Sequence, residues 1–183
     1  MDTHIPEGYR TRLIERRLDT LLRSFGRVEI TGPKWCGKTW TASTRAASIT
    51  RLDVPSERTA AEMDPSLALV GDKPHLVDEW QEVPEVWDAC RRAIDESGNR
   101  RGSYLLTGST NLPKDKRKRV RHSGTGRIAR LGMRPMSLVE SGDGKALVSL
   151  AALFDGKDID PVRADTSIED VAQRLDAMQS TLA

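Results

Sequence analysis

Val28-Glu29-Ile30-Thr31-Gly32-Pro33-Lys34-Trp35-Cys36-Gly37-Lys38-Thr39 is the stretch on which the fold turns. Val28 to Thr31 reads as a short apolar strand running straight into a glycine loop, and Lys38 to Ala47 as the helix that follows. The segment Gly32-x-x-x-x-Gly37-Lys38-Thr39 matches the phosphate-loop pattern in full, with the strand before it and the helix after it. Each residue type has a reason. Glycines let the backbone curl so that successive N–H groups face phosphate oxygens, and the helix start adds the positive end of its dipole. Lys38 is placed to reach the β- and γ-phosphates, and the Thr39 hydroxyl to ligate Mg²⁺. A chance match in a chain this long arises on the order of once in a hundred sequences, which disfavours an ordinary strand–turn–helix junction. The candidate ATP-binding residues are therefore Gly32, Pro33, Lys34, Trp35, Cys36, Gly37, Lys38, Thr39 and the following Trp40.

Working outward, Ile14, Leu18, Leu21, Leu22 and Phe25 recur at helical spacing, which predicts an amphipathic helix over 8–24, ended by Gly26. Ile49 to Val54 reads as a second strand, 56–70 as a loop with a helical turn or two, and Pro74 to Asp78 as a third strand. Val83, Val86, Trp87, Cys90 and Ile94 share one helical face, with Pro84 in the first turn. Ser103 to Thr107 and Arg127 to Met133 complete a set of five strands. Strands alternating with helices imply a parallel sheet covered on both faces, a three-layer α/β/α sandwich. The expected domain spans 1–160. Thr166-x-x-Glu169 is a capping-box pattern ahead of a helical tail over 161–183.

Asp78-Glu79 closes the third strand. In P-loop ATPases with an additional strand, an Asp at this point holds the magnesium hydration shell and the next Glu activates water. Parallel strands deliver their C-terminal ends to one rim, where the ligand sits. The fourth strand ends Leu106-Thr107-Gly108-Ser109, and a hydroxyl there, Thr107 or Ser109, would orient the attacking water or sense the γ-phosphate. With the strand order usual for this class, Thr107 lies between the loop and the acids. Arg127, at the entry to the fifth strand, is the candidate for stabilising transferred charge on its own or a neighbouring subunit, with Arg130 and Arg134 as weaker rivals.

Composition narrows the alternatives. With 183 residues, 37% of them hydrophobic and 31% charged, the chain can bury a core without disulfides. A net charge of +2 gives no global argument for nucleic acid. The run Lys114, Lys116, Arg117, Lys118, Arg119, Arg121 could contact a phosphate backbone, but it has no interleaved aromatics, and a solvated loop is the competing reading. Cys36 and Cys90 match no metal spacing and suggest reduced thiols in a cytoplasmic protein. Cys36, at a helix start, also invites a redox-switch reading, against the simpler one that Cys fits a small space. The longest apolar stretch, Ala146 to Phe154, is too short to span a bilayer.

The combined blocks resemble one prokaryotic group. They are Gly32 to Thr39; Val77-Asp78-Glu79-Trp80-Gln81 with Pro84 and Trp87; Leu106-Thr107-Gly108-Ser109; His122-Ser123-Gly124-Thr125-Gly126-Arg127; and Met133-Arg134-Pro135-Met136-Ser137-Leu138-x-Glu140. The group is the AAA-like ATP-binding proteins that carry a C-terminal domain of unknown function, and the likeness covers about residues 9–156. It implies that Lys38, Thr39, Asp78 and Glu79 act as phosphate, magnesium and water-activating residues, that Thr107 and Ser109 fall in a sensor block, and that Arg127 falls in an arginine-bearing block. Such proteins continue into a second domain, whereas this sequence ends at Ala183, so 161–183 reads as a remnant of a truncated product or fragment.

The expected function is a Mg²⁺-dependent ATPase. Two alternatives stand beside it: a nucleotide-dependent interaction module with little hydrolysis, acting on a homo-oligomer partner or a missing domain, and a nucleic-acid-binding protein using 114–121.

Overall fold

The computed structural model describes residues 6–109, 128–143 and 154–156. The chain divides into two compact units, Met1–Asp143 and Gly144–Ala183. In the second unit only residues 154–156 are described, and Phe154 is exposed there. The expected tail helix with its boundary at 160, the basic run 114–121 and Arg127 lie outside the described residues.

In the first unit, helix α1 (Glu15–Ser24) precedes strand β1 (Arg27–Gly32), which enters the loop before α2 (Lys38–Ser43). Strand β2 (Ser48–Arg51), α3 (Pro55–Met63), a 3₁₀ turn (Pro65–Leu69) and β3 (His75–Asp78) follow. A second 3₁₀ turn (Trp80–Glu82), α4 (Val86–Glu96), β4 (Tyr104–Ser109), β5 (Ile128–Gly132) and the single turn α5 (Leu138–Ser141) complete the described elements. The five described strands form one sheet in the order β2-β3-β4-β1-β5, and every neighbouring pair is parallel. The expected α/β/α class is observed, and β4 stands between β1 and β3.

Alternation along the strands explains the layers. Val28 and Ile30 of β1, Leu76 of β3 and Leu105 of β4 pack with Leu18 of α1 and Ala42 of α2. The intervening Val77, Tyr104 and Leu106 pack on the other face with Trp80, Trp87, Cys90 and Ile94. Strands buried on both faces read as continuous apolar runs, which is why β3 and β4 lack a two-residue polar alternation. Arg27 is a costly exception on this second face, fully buried. Its guanidinium stacks 4.0 Å from the Trp87 ring centroid and donates to the Trp87 carbonyl at 2.7 Å.

Several expected boundaries move: β2 ends at Arg51 rather than Val54, α4 starts at Val86 with Pro84 ahead of it, and three others move for local reasons. Helix α1 starts at Glu15 rather than near residue 8, because the Glu15 carboxylate takes the Arg12 N–H at 2.6 Å while Arg12 and Tyr9 turn their side chains elsewhere. Helix α2 stops at Ser43, where the Ser43 and Thr44 hydroxyls bond back to the carbonyls of Thr39 and Thr41, both at 2.8 Å. The segment 56–70 is more helical than expected: Pro55 sits in the first turn of α3, and Asp64 caps the following 3₁₀ turn by accepting from Ser66 N at 2.9 Å.

His75, buried at the start of β3, has Nδ1 2.6 Å from Ser48 Oγ and Nε2 3.1 Å from Thr50 Oγ1 and 3.0 Å from the Ala68 carbonyl. Burial, helped by the positive charge of Lys73, lowers its pKa from 6.5 to about 4. Between these values the unfolded chain takes up a proton that the folded one refuses, so stability falls as pH drops through 6.5 and levels off below about 4. Urea denaturation at pH 7 and at pH 4.5 should show this site costing about 2–3 kcal/mol at the lower pH. A His75→Gln variant should lack that part of the acid sensitivity, and an identical pH slope in variant and wild type would remove His75 as its source.

Candidate functional site

The C-terminal ends of β1, β3 and β4 share one rim. Gly32 pairs with Ser109 and Ile30 with Thr107, so the loop leaves β1 beside the end of β4. The sheet's alternation turns Asp78 and Thr107 toward the face that carries α2, since Leu76 and Leu105 two residues earlier pack on that side. Thr39, in the first turn of α2, completes the group. Its hydroxyl donates to Asp78 Oδ1 at 2.9 Å, and the Thr107 hydroxyl donates to the same oxygen. Asp78 is 5% exposed and Thr107 fully buried, so these bonds answer polar atoms that water scarcely reaches.

The loop itself is curled. Trp35 and Gly37 are both left-handed, with φ of 66° and 91°. Alternation of left- and right-handed residues turns consecutive N–H groups to one side, the geometry of an anion nest. A left-handed tryptophan is costly by roughly 1–2 kcal/mol, and its side chain is 99% exposed. Lys38 Nζ donates to the carbonyls of Gly32 at 3.2 Å and Pro33 at 2.8 Å, which anchors the ammonium across the first turn of the loop. Because α2 has only six residues, the case for an anion here rests on the loop amides and Lys38 more than on a helix dipole.

Gly32 is required by close packing: a Cβ there would lie 2.3 Å from the Met133 carbonyl oxygen and 2.9 Å from Cys36 Sγ. Cys36 is itself buried, its thiol 3.9 Å from that same carbonyl. The space-filling reading of Cys36 fits this environment, and a reactive exposed thiol does not.

Glu79 follows Asp78 in a left-handed conformation, φ 53°. That twist sends Trp80 into the core, where its ring stands 4.8 Å from Trp87 and Nε1 donates to Glu29 Oε1 at 3.2 Å. It also brings Gln81 back to Glu79. A carboxylate only accepts, so the Gln81 amide must present Nε2 to Glu79 Oε2. The Gln81 oxygen then lies over Gly108, where an added Cβ would be 2.7 Å from Oε1 and 2.8 Å from Trp80 Nε1. Gly108 is thus the residue that leaves room for the Glu79–Gln81 pair.

Of the expected site residues, Gly32, Pro33, Lys34, Trp35, Cys36 and Gly37 form the loop and Lys38 and Thr39 open α2; Asp78 meets Thr39 and Thr107 meets Asp78 at the rim, while Glu79 follows Asp78 and pairs with Gln81. Trp40 is 48% exposed on α2 beside the loop, whereas Trp80 is buried in the core. Ser109 ends β4 opposite Gly32. Arg130 pairs with Glu29 at 2.6 Å and lies 5.5 Å from the Trp87 ring centroid, a structural role on the opposite face.

Two groups had no role in the sequence reading. Arg12, almost wholly buried, donates from Nη1 to the Cys36 carbonyl at 2.6 Å, from Nη2 to the Arg134 carbonyl at 2.8 Å and from Nε to Glu140 at 3.0 Å. Glu140 also accepts from the N–H of Leu13 at 2.7 Å and of Ser137 at 2.8 Å, and from the Ser137 hydroxyl at 2.9 Å. Burial opposes its charge, but these donors outweigh that and bring its pKa down to about 2. Nearby, Tyr9 donates to Glu15 at 2.8 Å and accepts from the Thr41 hydroxyl at 3.2 Å, tying the chain before α1 to α2. Burial foremost, with the Glu15 charge, pushes this phenol up to about 12, so it stays a neutral donor.

No helix among the described residues is long and apolar enough to cross a membrane. No curated protein is similar to the chain by sequence. The sequence profile of the AAA domain matches residues 25–141, from two residues before β1 to the end of α5. That span holds the loop, the paired acids and all five described strands, and the chain belongs to the AAA domain family as an AAA-like ATPase domain.

Proposed function

We propose that this chain binds ATP with Mg²⁺ at the loop 32–39 and hydrolyses it. The observation that carries this reading is the Asp78 carboxylate held between the hydroxyls of Thr39 and Thr107 beside a curled glycine loop. Amides of Gly32, Lys34, Trp35, Cys36, Gly37 and Lys38 would face the phosphates, with Pro33, which has no N–H, shaping the loop and the Lys38 ammonium leaving the loop carbonyls for the β- and γ-oxygens. Thr39 and Asp78 supply hard oxygen donors that suit Mg²⁺, a cation that keeps several waters and takes few protein ligands. Among the described residues no cluster of three His, Cys, Asp or Glu forms, and a site completed by substrate phosphates needs none. When bound, Mg²⁺ would neutralise charge developing between the β- and γ-phosphates.

Glu79 is the general base in this scheme. Gln81 occupies one of its oxygens and leaves the other for the attacking water. Thr107 or Ser109 would sense the γ-phosphate from the end of β4, Trp40 would flank the nucleotide, and Arg127 would stabilise transferred charge in its own or a neighbouring subunit. The free thiols Cys36 and Cys90 fit a cytoplasmic setting. A second reading, a nucleotide-dependent interaction module with little turnover, is favoured by one feature: Glu79 is engaged by Gln81 in a conformation that is uncommon for a non-glycine residue. A following domain of unknown function, as in the proteins whose sequence blocks this chain resembles, would be the element so switched.

Titration with Mg-ATP should give saturable binding to wild type and none to Lys38→Ala. Glu79→Gln should keep its affinity and lose turnover by about a hundredfold or more. Phosphate release by Glu79→Gln at the wild-type rate would remove Glu79 as the base, and binding without release by wild type would favour the interaction module. Gly108→Ala should dislodge Gln81 from Glu79, cutting turnover about tenfold or more while affinity changes little. Unaltered turnover would separate Gln81 from the reaction.

A further inference from the structure

Residues 133–140 and Arg12 hold the phosphate loop from behind, and neither is used by the scheme above. Arg12 joins three segments far apart in sequence: the entry to α1, the loop at Cys36, and the chain after β5 at Arg134 and Glu140. Each guanidinium nitrogen has an acceptor, in the planar fork that suits such multiple bonding.

The bond to Cys36 matters because of peptide geometry. In a trans peptide the C=O and the following N–H point in opposite directions. Arg12 draws the Cys36 carbonyl to the back of the loop, at 2.6 Å, so the N–H of Gly37 is turned to the opposite side. Gly37 is left-handed, φ 91°, and a Cβ there would come 3.2 Å from Arg12 Nη1, so the absence of a side chain at 37 lets the guanidinium approach. Glu140 fixes Arg12 in turn. Four donors from three residues besides its own converge on its carboxylate: Arg12 Nε, the Leu13 and Ser137 N–H groups and the Ser137 hydroxyl. Met133 closes the other side of the loop through its carbonyl against Gly32.

We propose that Arg12 is a positioning residue of the phosphate loop: by holding the Cys36 carbonyl it aims the Gly37 N–H at bound phosphate, and Glu140 keeps Arg12 in that pose. The inference rests on the phosphate-binding reading of 32–39. Its consequence is that phosphate affinity depends on a carboxylate that never touches the ligand, so that a change at 134–140 is felt in the loop and loading of the loop is felt at 134–140.

The test uses the full chain with Arg12→Lys, Arg12→Ala and Glu140→Gln, each checked by thermal unfolding to be folded at the assay temperature. Two quantities are measured: the Kd for Mg-ATP and for inorganic tripolyphosphate, and, without nucleotide, the rate at which a maleimide labels Cys36, resolved from Cys90 by peptide mass spectrometry. Arg12→Lys keeps the charge but not the fork, and with Arg12→Ala it should weaken both ligands by about tenfold or more. Glu140→Gln should weaken them by about threefold or more. Cys36 labelling should rise in all three by about tenfold, with Cys90 unchanged. A residue that merely stabilises the fold would lower the melting temperature and leave the affinity of the folded protein alone. Wild-type affinity and wild-type Cys36 labelling in folded Arg12 variants would overturn the proposal. Failure of the unmutated chain to bind either ligand would instead sink the phosphate-binding reading. In that case faster Cys36 labelling in the variants still supports the clamp on the loop, and unchanged labelling overturns it.

Discussion

The carboxylate of Asp78 accepts hydroxyls from Thr39 and Thr107 and so joins the helix after the loop, the third strand and the fourth. Charge-assisted hydrogen bonds of this kind contribute about 1.5–3 kcal/mol each, and a buried carboxylate without them would be costly. This constraint governs the architecture around it. Asp78 and Thr107 can meet only if β3 and β4 are neighbours, run the same way and end at the same rim. Thr39 joins them only if β1 lies next in the sheet, and the order β3-β4-β1 meets all three demands.

The turn after Asp78 then sorts chemistry from packing. One left-handed residue, Glu79, rotates the chain so that Trp80 drops into the far layer beside Trp87 while Gln81 returns to the Glu79 carboxylate. Glu29 shows the same division in β1. Its neighbours Val28 and Ile30 pack toward α1 and α2, whereas its carboxylate faces the opposite layer and is satisfied by Trp80 and Arg130. Asp78, Thr39 and Thr107 on the α2 side adjoin the loop, whereas on the other side Glu29 is answered by Trp80 and Arg130.

Much of this arrangement was legible in the sequence because it is local. The glycine loop, the strand entering it and the acids closing β3 are short contiguous patterns whose chemistry dictates their spacing. The strand order followed from the class of loop. What escaped notice depends on distance. Arg12 has no local signature, since its partners lie 24 and 122 residues away, and in sequence it reads as one more polar residue within the expected amphipathic helix over 8–24. Trp80 stands two residues after Asp78 in sequence, but only the backbone twist at Glu79 decides which face it takes. Glu140 stood inside a recognisable block, yet nothing in that block says what its carboxylate grips.

The sheet order also determines when the loop can become firm as the chain leaves the ribosome. Strand β1 is flanked by β4 and β5, both made after β2 and β3, and the loop's rear supports at Met133, Arg134 and Glu140 come later still. Residues 32–39 are therefore synthesised early but gain their holding contacts only when nearly the whole 25–141 span has emerged. During vectorial synthesis the nucleotide cradle is among the last parts to set, and a nascent chain halted short of β5 would carry every glycine of the motif without the structure that gives it shape.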